Sequence, residues 1–315
     1  MAQSVEQLIR NQQAAGSSPA SSSRKKHLHL QVLFLFEREE FVMAHKQNLH
    51  THSVFCDGKD TLEEMVIAAI EKGFDSIGFS SHSYMEQIAE FSMKEENVPA
   101  YRAEVMRLRE TYKDRIAIFC GLEKDYNTQM DVSGYDYLIG SVHVMERDGK
   151  FMYVDWDTDK LKYSIENVFG GDGLAYARYY FGEVAKIPDS GPVDILGHFD
   201  LLSKFCEQVS YFDVHSQEYL SAARDAIDTL EDRIPFFEVN TGAMARGYRS
   251  TPYPAADMVG HFRKRGFGAV ITTDCHNRNL LDYGYDAAKA LLIANGYTHH
   301  YVLTRDGFVP VSLFD

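Results

Sequence analysis

The chain has 315 residues, 45% of them apolar and 25% charged, and its 22 Gly and 8 Pro exclude collagen-like and low-complexity chains. Its 46 acids outnumber 32 Lys and Arg, and the net charge of −14 argues against extended nucleic-acid or anionic-membrane binding while leaving room for a local basic pocket. No apolar run approaches the roughly 18 residues of a membrane span, and the four scattered cysteines (Cys56, Cys120, Cys206, Cys275) include no CxxC pair, as in a reduced cytoplasmic protein.

Residues 1–42 differ from the rest. The stretch MAQSVEQLIRNQQAAGSSPASSSRKK is polar and Ser/Ala-rich, and the apolar run HLHLQVLFLF follows it. A secretory signal carries its basic residues directly before a short apolar run and a small-residue cleavage site after it. Here a long polar leader comes first, and Glu37, Glu39 and Glu40 come after. The expectation is a disordered leader or an over-called start, with Met43 as a plausible beginning and 43–315 as one barrel domain. His27 and His29 imitate a metal motif, but nothing downstream joins them.

From residue 46 strands and helices alternate. A short extended segment ends in HTH at 50–52. TLEEMVIAAIEK (61–72) reads as a helix: Leu62, Met65, Val66, Ala69 and Ile70 share a face, Thr61 and Glu64 have capping-box spacing, and Gly73 stops it. DSIGFSSH (75–82) reads as a strand and 98–113 as a helix. RIAIFCGLE (115–123), YDYLIGSVH (135–143) and VDILGHFD (193–200) are strand-like, with a hairpin at 149–156 and a helix near 173–186 between the last two. A helix at 213–231, the strand PFFEVN (235–240), a helix near 255–265, the strand FGAVITTD (267–274), a helix at 282–295 and the strand YVLT (301–304) complete the rhythm. Short, continuously apolar strands alternating with helices indicate a parallel sheet covered on both faces. About seven such units predict a β/α barrel, with an open doubly wound sheet as the alternative.

Polar residues collect at the strand ends. The first strand ends in His50 and His52, with Asp57 soon after, and the second in His82. The third ends in Glu123, the fourth in His143, the fifth in His198 and Asp200, the sixth in Glu238 and Asn240, and the seventh in Asp274 and His276. In a β/α barrel these ends meet at one face, where catalytic groups sit. Six of the 13 histidines occupy such ends, and converging imidazoles and carboxylates suit divalent transition metals. HxH also sets two side chains on one side of a strand. Each residue alone has an ordinary explanation: a turn for Asp57, an ion pair for Glu123, a hydrogen-bonded cap for a single histidine. The recurrence at every strand is what points to a metal site. His45, His215, His261, His299 and His300 fall outside the pattern and read as surface or packing residues.

HTHSVFCDG (50–58), GFSSHS (78–83), GLEKDY (121–126), GSVH (140–143), DILGHFDL (194–201), EVNTGAMARGY (238–248) and TTDCH (272–276) together resemble the polymerase-and-histidinol-phosphatase (PHP) superfamily, and its histidinol-phosphatase branch in particular. The resemblance covers residues 46–315. It implies a distorted (β/α)7 barrel and two or three divalent metal ions (Zn, Mn or Fe). By position, His50, His52, Glu123 and Asp274 would hold the first, Glu123 would bridge to a second completed by His143 and His198, and Asp57, His82 and His276 would hold a third. Ser81 stands where relatives usually carry an acid before the histidine. The implied activity is hydrolysis of L-histidinol phosphate in histidine biosynthesis.

A carboxylate such as Glu123 can bridge two cations roughly 3.5–4 Å apart. Arg246, in the loop after the sixth strand, could clasp phosphate in a bidentate way. Lys204 resembles the position of a second basic residue in relatives. Asn240 and Tyr248 join them as candidate substrate contacts, and Asp125 and Tyr126 could also meet the substrate. Asp274 and His276 are candidate proton carriers for the leaving group. No G-x-S-x-G elbow or Walker-type loop competes, and Cys120 and Cys275 should point away from the ligands beside them. The small phosphorylated substrate could instead be phosphotyrosine or a nucleotide. A C–N hydrolase of the amidohydrolase type also opens with HxH, but often uses a carboxylated Lys at strand four, where this chain has His143. A non-catalytic metal-binding protein is the remaining alternative.

Overall fold

A computed structural model describes residues 45–314, so the polar leader, its HLH and the candidate start at Met43 lie outside the described residues. In chain order the elements are β1 (Gln47–Asn48), α1 (Leu62–Glu71), β2 (Ser76–Phe79), α2 (Val98–Thr111), β3 (Ala117–Asp125), β4 (Tyr137–Ser141), β5 (Val144–Arg147), β6 (Lys150–Tyr153), α3 (Thr158–Val168) and α4 (Gly173–Val184). There follow β7 (Ile195–Leu196), α5 (Gln217–Leu230), β8 (Phe236–Asn240), α6 (Gly242–Ala245), α7 (Ala256–Lys264), β9 (Gly268–Thr272), α8 (Tyr285–Ala294), β10 (His299–Thr304) and β11 (Gly307–Ser312). β1, β2, β3, β4, β7, β8 and β9 form one seven-stranded sheet in that order, every pair parallel.

The sheet is a nearly closed, distorted barrel. β1 and β9 share no ladder. Instead Thr51 and Cys275 form a single parallel bridge: His52 N donates to Cys275 O at 2.9 Å and Cys275 N to His50 O at 3.0 Å. Next to it Asn48 Nδ2 donates to Thr273 Oγ1 at 2.6 Å. The seam therefore falls at the two segments that carry His50, His52, Asp274 and His276.

The barrel interior is apolar at its lower end. Leu49, Phe119, Tyr137, Ile139, Ile195, Val270 and Leu303 pack together there. Tyr137 is the largest, and its ring lies against Gly78 and Gly121, where a Cβ would come within 2.4 Å and 2.2 Å of it. The antiparallel hairpin β10–β11 closes this end. The Gln47 side chain accepts from Leu303 N at 2.7 Å and donates to Leu303 O at 2.8 Å. Only YVLT reads as a strand in the sequence; β11 contains Pro310, which cannot donate to a ladder and is tolerated in a two-stranded edge hairpin.

Local signals held where they were strong. Thr61 caps α1, its Oγ1 accepting from Glu64 N at 3.2 Å while Glu64 Oε2 accepts from Thr61 N at 2.9 Å. The hairpin expected at 149–156 lies earlier: its strands are β5 and β6, and Asp155 and Trp156 follow it. Helix α3 was not legible because Leu161 and Ile165 are its only buried aliphatic residues, a stripe too narrow to stand out; Asp157 caps it by accepting from Lys160 N at 2.7 Å.

Gly121→Ala is expected to destabilise the protein by about 1–3 kcal/mol through overpacking against Tyr137, seen as a lower thermal midpoint. An unchanged midpoint would show that Tyr137 can move aside.

Candidate metal centre

All nine expected ligands meet at the upper end of the barrel. Glu123, on β3 and almost fully buried, stands at the centre. Its two oxygens face different histidines. Oε2 lies 3.1 Å from His50 Nε2, 3.5 Å from His52 Nε2 and 2.9 Å from His82 Nδ1. Oε1 lies 3.3 Å from His143 Nε2 and 2.9 Å from His198 Nε2, and accepts from Ser141 Oγ at 2.7 Å. Asp274 Oδ1 is 3.2 Å from His52 Nε2 and 3.7 Å from His50 Nε2. Asp57 reaches His276 Nε2 at 3.1 Å and His82 Nε2 at 3.7 Å. Four overlapping sets have donor atoms close enough to hold a cation: His52 with Asp57, His82 and His276; His50 with His52 and Glu123; His50 with His198 and Asp274; and His82 with Glu123 and His143.

The spacing HxH does not act here through a regular strand. β1 ends at Asn48, and Asp274 has φ +45, so both ligand pairs sit just past the last ladder residue. An aspartate tolerates this left-handed conformation better than most side chains. The close approach of Gly242 also matters, since a Cβ there would stand 2.8 Å from Asp274 Cβ.

Buried carboxylates orient the imidazoles. Glu238 on β8, fully buried, takes His50 Nδ1 at 2.8 Å, His198 N at 2.6 Å, Asn240 Nδ2 at 2.8 Å and Thr272 Oγ1 at 2.8 Å. Asp125 takes both His143 N at 2.9 Å and His143 Nδ1 at 3.1 Å. An ionised carboxylate only accepts, so these Nδ1 atoms carry hydrogen and the Nε2 atoms turn their remaining valence to Glu123. Carboxylate–imidazole pairs of this kind orient metal-binding histidines.

The donor set fits divalent cations by its own geometry. His50 Nε2, His52 Nε2, Glu123 Oε2 and Asp57 Oδ1 are buried without a hydrogen-bond partner, although they face one another. A lone pair facing a carboxylate oxygen needs a positive charge between them, either a proton or a metal ion. Burial opposes charging His50, but Glu238, Glu123 and Asp274 outweigh it and push its pKa well up. Burial likewise opposes ionising Glu123, and the charges of His50, His82 and His143 hold it well below the usual carboxylate range. His52 is drawn down to about 3 by burial and by His276 and His82, which leaves it a neutral donor.

Above the cluster opens a cleft of about 360 Å³. Arg246, Lys204 and Tyr248 line it, as expected, and so do Lys59, Asp155, Ile88, Phe91, Tyr153 and Trp156. Arg246 Nη2 donates to Asp274 Oδ2 at 2.9 Å and Nη1 to Asp274 O at 3.0 Å. Lys204 is tethered to Asp155, donating to its Oδ2 at 3.0 Å and its backbone O at 2.6 Å. Asn240 is a correction: it is fully buried, donates to Glu238 and accepts from Gly242 N at 2.8 Å, so both ends of its amide are used below the cleft. Asp125 is committed to His143, and Tyr126 Oη donates to Glu183 Oε2 at 2.9 Å. Cys120 and Cys275 pack into the apolar cluster under α1 and α2. None of the five histidines set aside in the sequence joins the site. Two features went unread: the supporting role of Glu238, whose strand-end position was visible, and the aromatic side of the cleft, which no metal-type pattern marks.

Among the described residues no helix is long and apolar enough to cross a membrane. Curated relatives align along most of their length. Histidinol-phosphatase of Bacillus subtilis is 26% identical over 265 residues, covering 77% of this chain and 97% of its own. A probable histidinol-phosphatase of Schizosaccharomyces pombe is 23% identical over 279 residues, 79% of this chain and 86% of its own. Among solved structures, a putative histidinol phosphatase from Listeria monocytogenes superposes with TM-score 0.67 at 23% identity, covering 76% of this chain and 99% of that one. A histidinol phosphate phosphatase from Lactococcus lactis, solved with zinc, L-histidinol and phosphate, gives 0.64 at 20% identity, covering 84% and 98%. Both share the barrel. The PHP domain model matches residues 48–242, from the end of β1 to the start of α6 and over more than half of the sequence, and this chain belongs to the PHP domain family.

Proposed function

We propose that this chain is a metal-dependent phosphomonoesterase that hydrolyses L-histidinol phosphate to L-histidinol and phosphate. The observation that carries the metal chemistry is the division of Glu123, one oxygen toward His50, His52 and His82 and the other toward His143 and His198. The substrate assignment draws its support from relatives that carry that activity in their names and match over nearly their whole length, and from the zinc, L-histidinol and phosphate bound by the Lactococcus lactis protein.

His50, His52, Glu123 and Asp274 would hold one divalent ion, Glu123 with His143 and His198 a second, and Asp57, His82 and His276 a third. Zinc, manganese and iron all suit such nitrogen and oxygen donors. Bound cations would offset charge on the phosphoryl oxygens and make water more acidic. The protein does the rest. Glu238 and Asp125 fix the rings of His50 and His143. Arg246 lines the cleft with its guanidinium already oriented by Asp274, so it can meet a phosphoryl oxygen with little reorganisation. Lys204 and Lys59 add positive charge to the same cleft. Water attacks phosphorus and loses a proton to solvent, the P–O bond to the alcohol breaks, and the departing oxygen takes up a proton. Of the two candidate carriers lining the cleft, His276 could hand it over, whereas Asp274, whose carboxyl is held ionised against its burial by Arg246 and His50, has none to give. Tyr248, beside Lys204, is a candidate substrate contact.

Phosphate release from L-histidinol phosphate by metal-analysed protein tests the reaction, with phosphotyrosine and a nucleotide monophosphate alongside. Turnover confined to histidinol phosphate and abolished by chelator is expected. Turnover of the other two alone would move the chain to another phosphoesterase activity.

Glu123→Gln is expected to lose at least one metal ion per chain by elemental analysis, since the amide cannot supply a second anionic oxygen. Full retention would refute bridging by Glu123.

Arg246→Ala is expected to lower kcat/KM by about 100-fold, mainly by raising KM, with metal content kept. Loss of metal with an unchanged KM in the remaining active fraction would show that Arg246 acts only by holding Asp274.

A further inference from the structure

The cleft is lined by two kinds of chemistry. Histidines, carboxylates, Arg246 and two lysines supply charge, and Ile88, Phe91, Tyr153 and Trp156 supply an apolar side. Trp156 is the only tryptophan of the chain. Its ring meets Phe91 edge-on with centroids 4.8 Å apart at 83°, and Tyr153 with centroids 5.0 Å apart at 75°. Lys160 Nζ stands 5.2 Å from the Tyr153 ring and 5.9 Å from that of Trp156. Three aromatic rings from two separate segments thus hold one another in a fixed arrangement.

This aromatic group is built independently of the main cores. Met85, Ile88 and Val144 form a small cluster of their own, against which Tyr153 and Trp156 pack. It is also tied in register to the metal centre. Val144 directly follows His143 and pairs with Tyr153, and Val154 N donates to His143 O at 2.9 Å. Any movement of the hairpin base would move His143, so the rings keep a constant position relative to that candidate ligand. Phe91 is 36% exposed and lines the cleft. Ligand pockets are lined predominantly by apolar and aromatic side chains of this kind.

We infer that Trp156, braced by Phe91 and Tyr153, forms the leaving-group subsite: it packs against the heteroaromatic ring of the departing alcohol and sets the preference for such phosphomonoesters over aliphatic ones. This deepens the phosphomonoesterase assignment and rests on it. The charged side of the cleft recognises the phosphoryl group common to all such substrates, and its carboxylates can meet an ammonium, which leaves discrimination by the ring of the alcohol to the apolar side. Ring-on-ring contact gives that discrimination without a directional bond. Trp156 makes no contact with the reacting atoms in this scheme; its effect is on which alcohol is held.

The test compares the metal-loaded full chain with Trp156→Leu, Trp156→Phe and Phe91→Ala, using L-histidinol phosphate and glycerol 3-phosphate. Trp156→Leu is expected to lower kcat/KM for histidinol phosphate roughly tenfold, through KM, and Trp156→Phe to restore most of it. Phe91→Ala is expected to give a smaller loss in the same direction. Glycerol 3-phosphate should be unaffected, whether followed by turnover or by its inhibition constant. Because Trp156 is the single tryptophan, titrating the unmodified protein with L-histidinol should change the intrinsic fluorescence saturably, while ethanolamine should not. Equal losses on both phosphoesters, or a fluorescence that ignores L-histidinol, would overturn the subsite and leave the rings a purely structural cluster. A protein that hydrolyses no phosphomonoester would instead overturn the activity, with the fluorescence titration still deciding the subsite by itself.

Discussion

Everything at the upper end of this barrel is arranged around one buried carboxylate. Glu123 sits almost without solvent, and five imidazoles lie within 3.5 Å of its two oxygens. Taking an ionised carboxylate out of water costs several kcal/mol after relaxation, so the site is stable only when positive charge is supplied from nearby. The imidazoles can supply it by taking up protons, and they are drawn that way in the metal-free chain, where carboxylates outweigh burial at His50, His82 and His143. Divalent ions would supply it more densely. Any cation bound there would add to the stability of this region, because metal affinity and stability are then two views of the same free energy.

The barrel geometry follows from that demand. β1 and β7 have only two ladder residues each, and the two segments at the seam are joined by one bridge. A longer ladder between β1 and β9 would impose strand conformation on His50, His52, Asp274 and His276; each pair would still share one side, as residues two apart do, but Asp274 could not take its left-handed conformation. Leaving the strand early lets Asp274 adopt φ +45. Regularity is recovered at the opposite end, where Tyr137 and its apolar neighbours fill the barrel and β10–β11 covers them. Function and stability are thus separated along the barrel axis: the upper layer is polar and costly, the lower layer dry and well packed.

How far the site could be read from the sequence depends on how each residue does its work. Metal-binding side chains are chemically conspicuous, and here they stand at strand ends, so the convergence of His50, His82, Glu123, His143, His198 and Asp274 was legible from type and place. Supporting residues work through pairings that cross the barrel. Nothing near Glu238 in the sequence says that it will meet His50 from 188 positions away, and Asn240, two residues on, was read as a substrate contact when it faces the same buried network. Lys204 was read as a second basic residue for the substrate, and its tether to Asp155 depends on where the β5–β6 hairpin ends, a boundary misplaced by several residues. The aromatic wall was illegible for a different reason. Phe91, Tyr153 and Trp156 are common core residue types, and only the fold shows that they line a cleft instead of filling one.

That distinction matters for how selectivity arises on such a scaffold. The ligands come from the barrel strands and the turns directly after them, which the closure of the sheet holds in place. Trp156 and Tyr153 come from a hairpin inserted between β4 and β7, and Phe91 from the segment between β2 and α2. These segments pack on the rest of the molecule through Met85, Ile88 and Val144 and, from the hairpin and the residue after it, through Met145, Met152 and Val154 in the large core. Their side chains can change without disturbing the carboxylate–imidazole pairs beneath, because Glu238 and Asp125 belong to the barrel and not to the insertions. The junction at His143, where hairpin and candidate ligand share consecutive residues, couples the two, and so does Met93 N, two residues past Phe91, which donates to His82 O at 3.0 Å. The metal chemistry is then tightly constrained by the sheet, while the choice of alcohol is carried by a part of the chain that the sheet leaves free to vary.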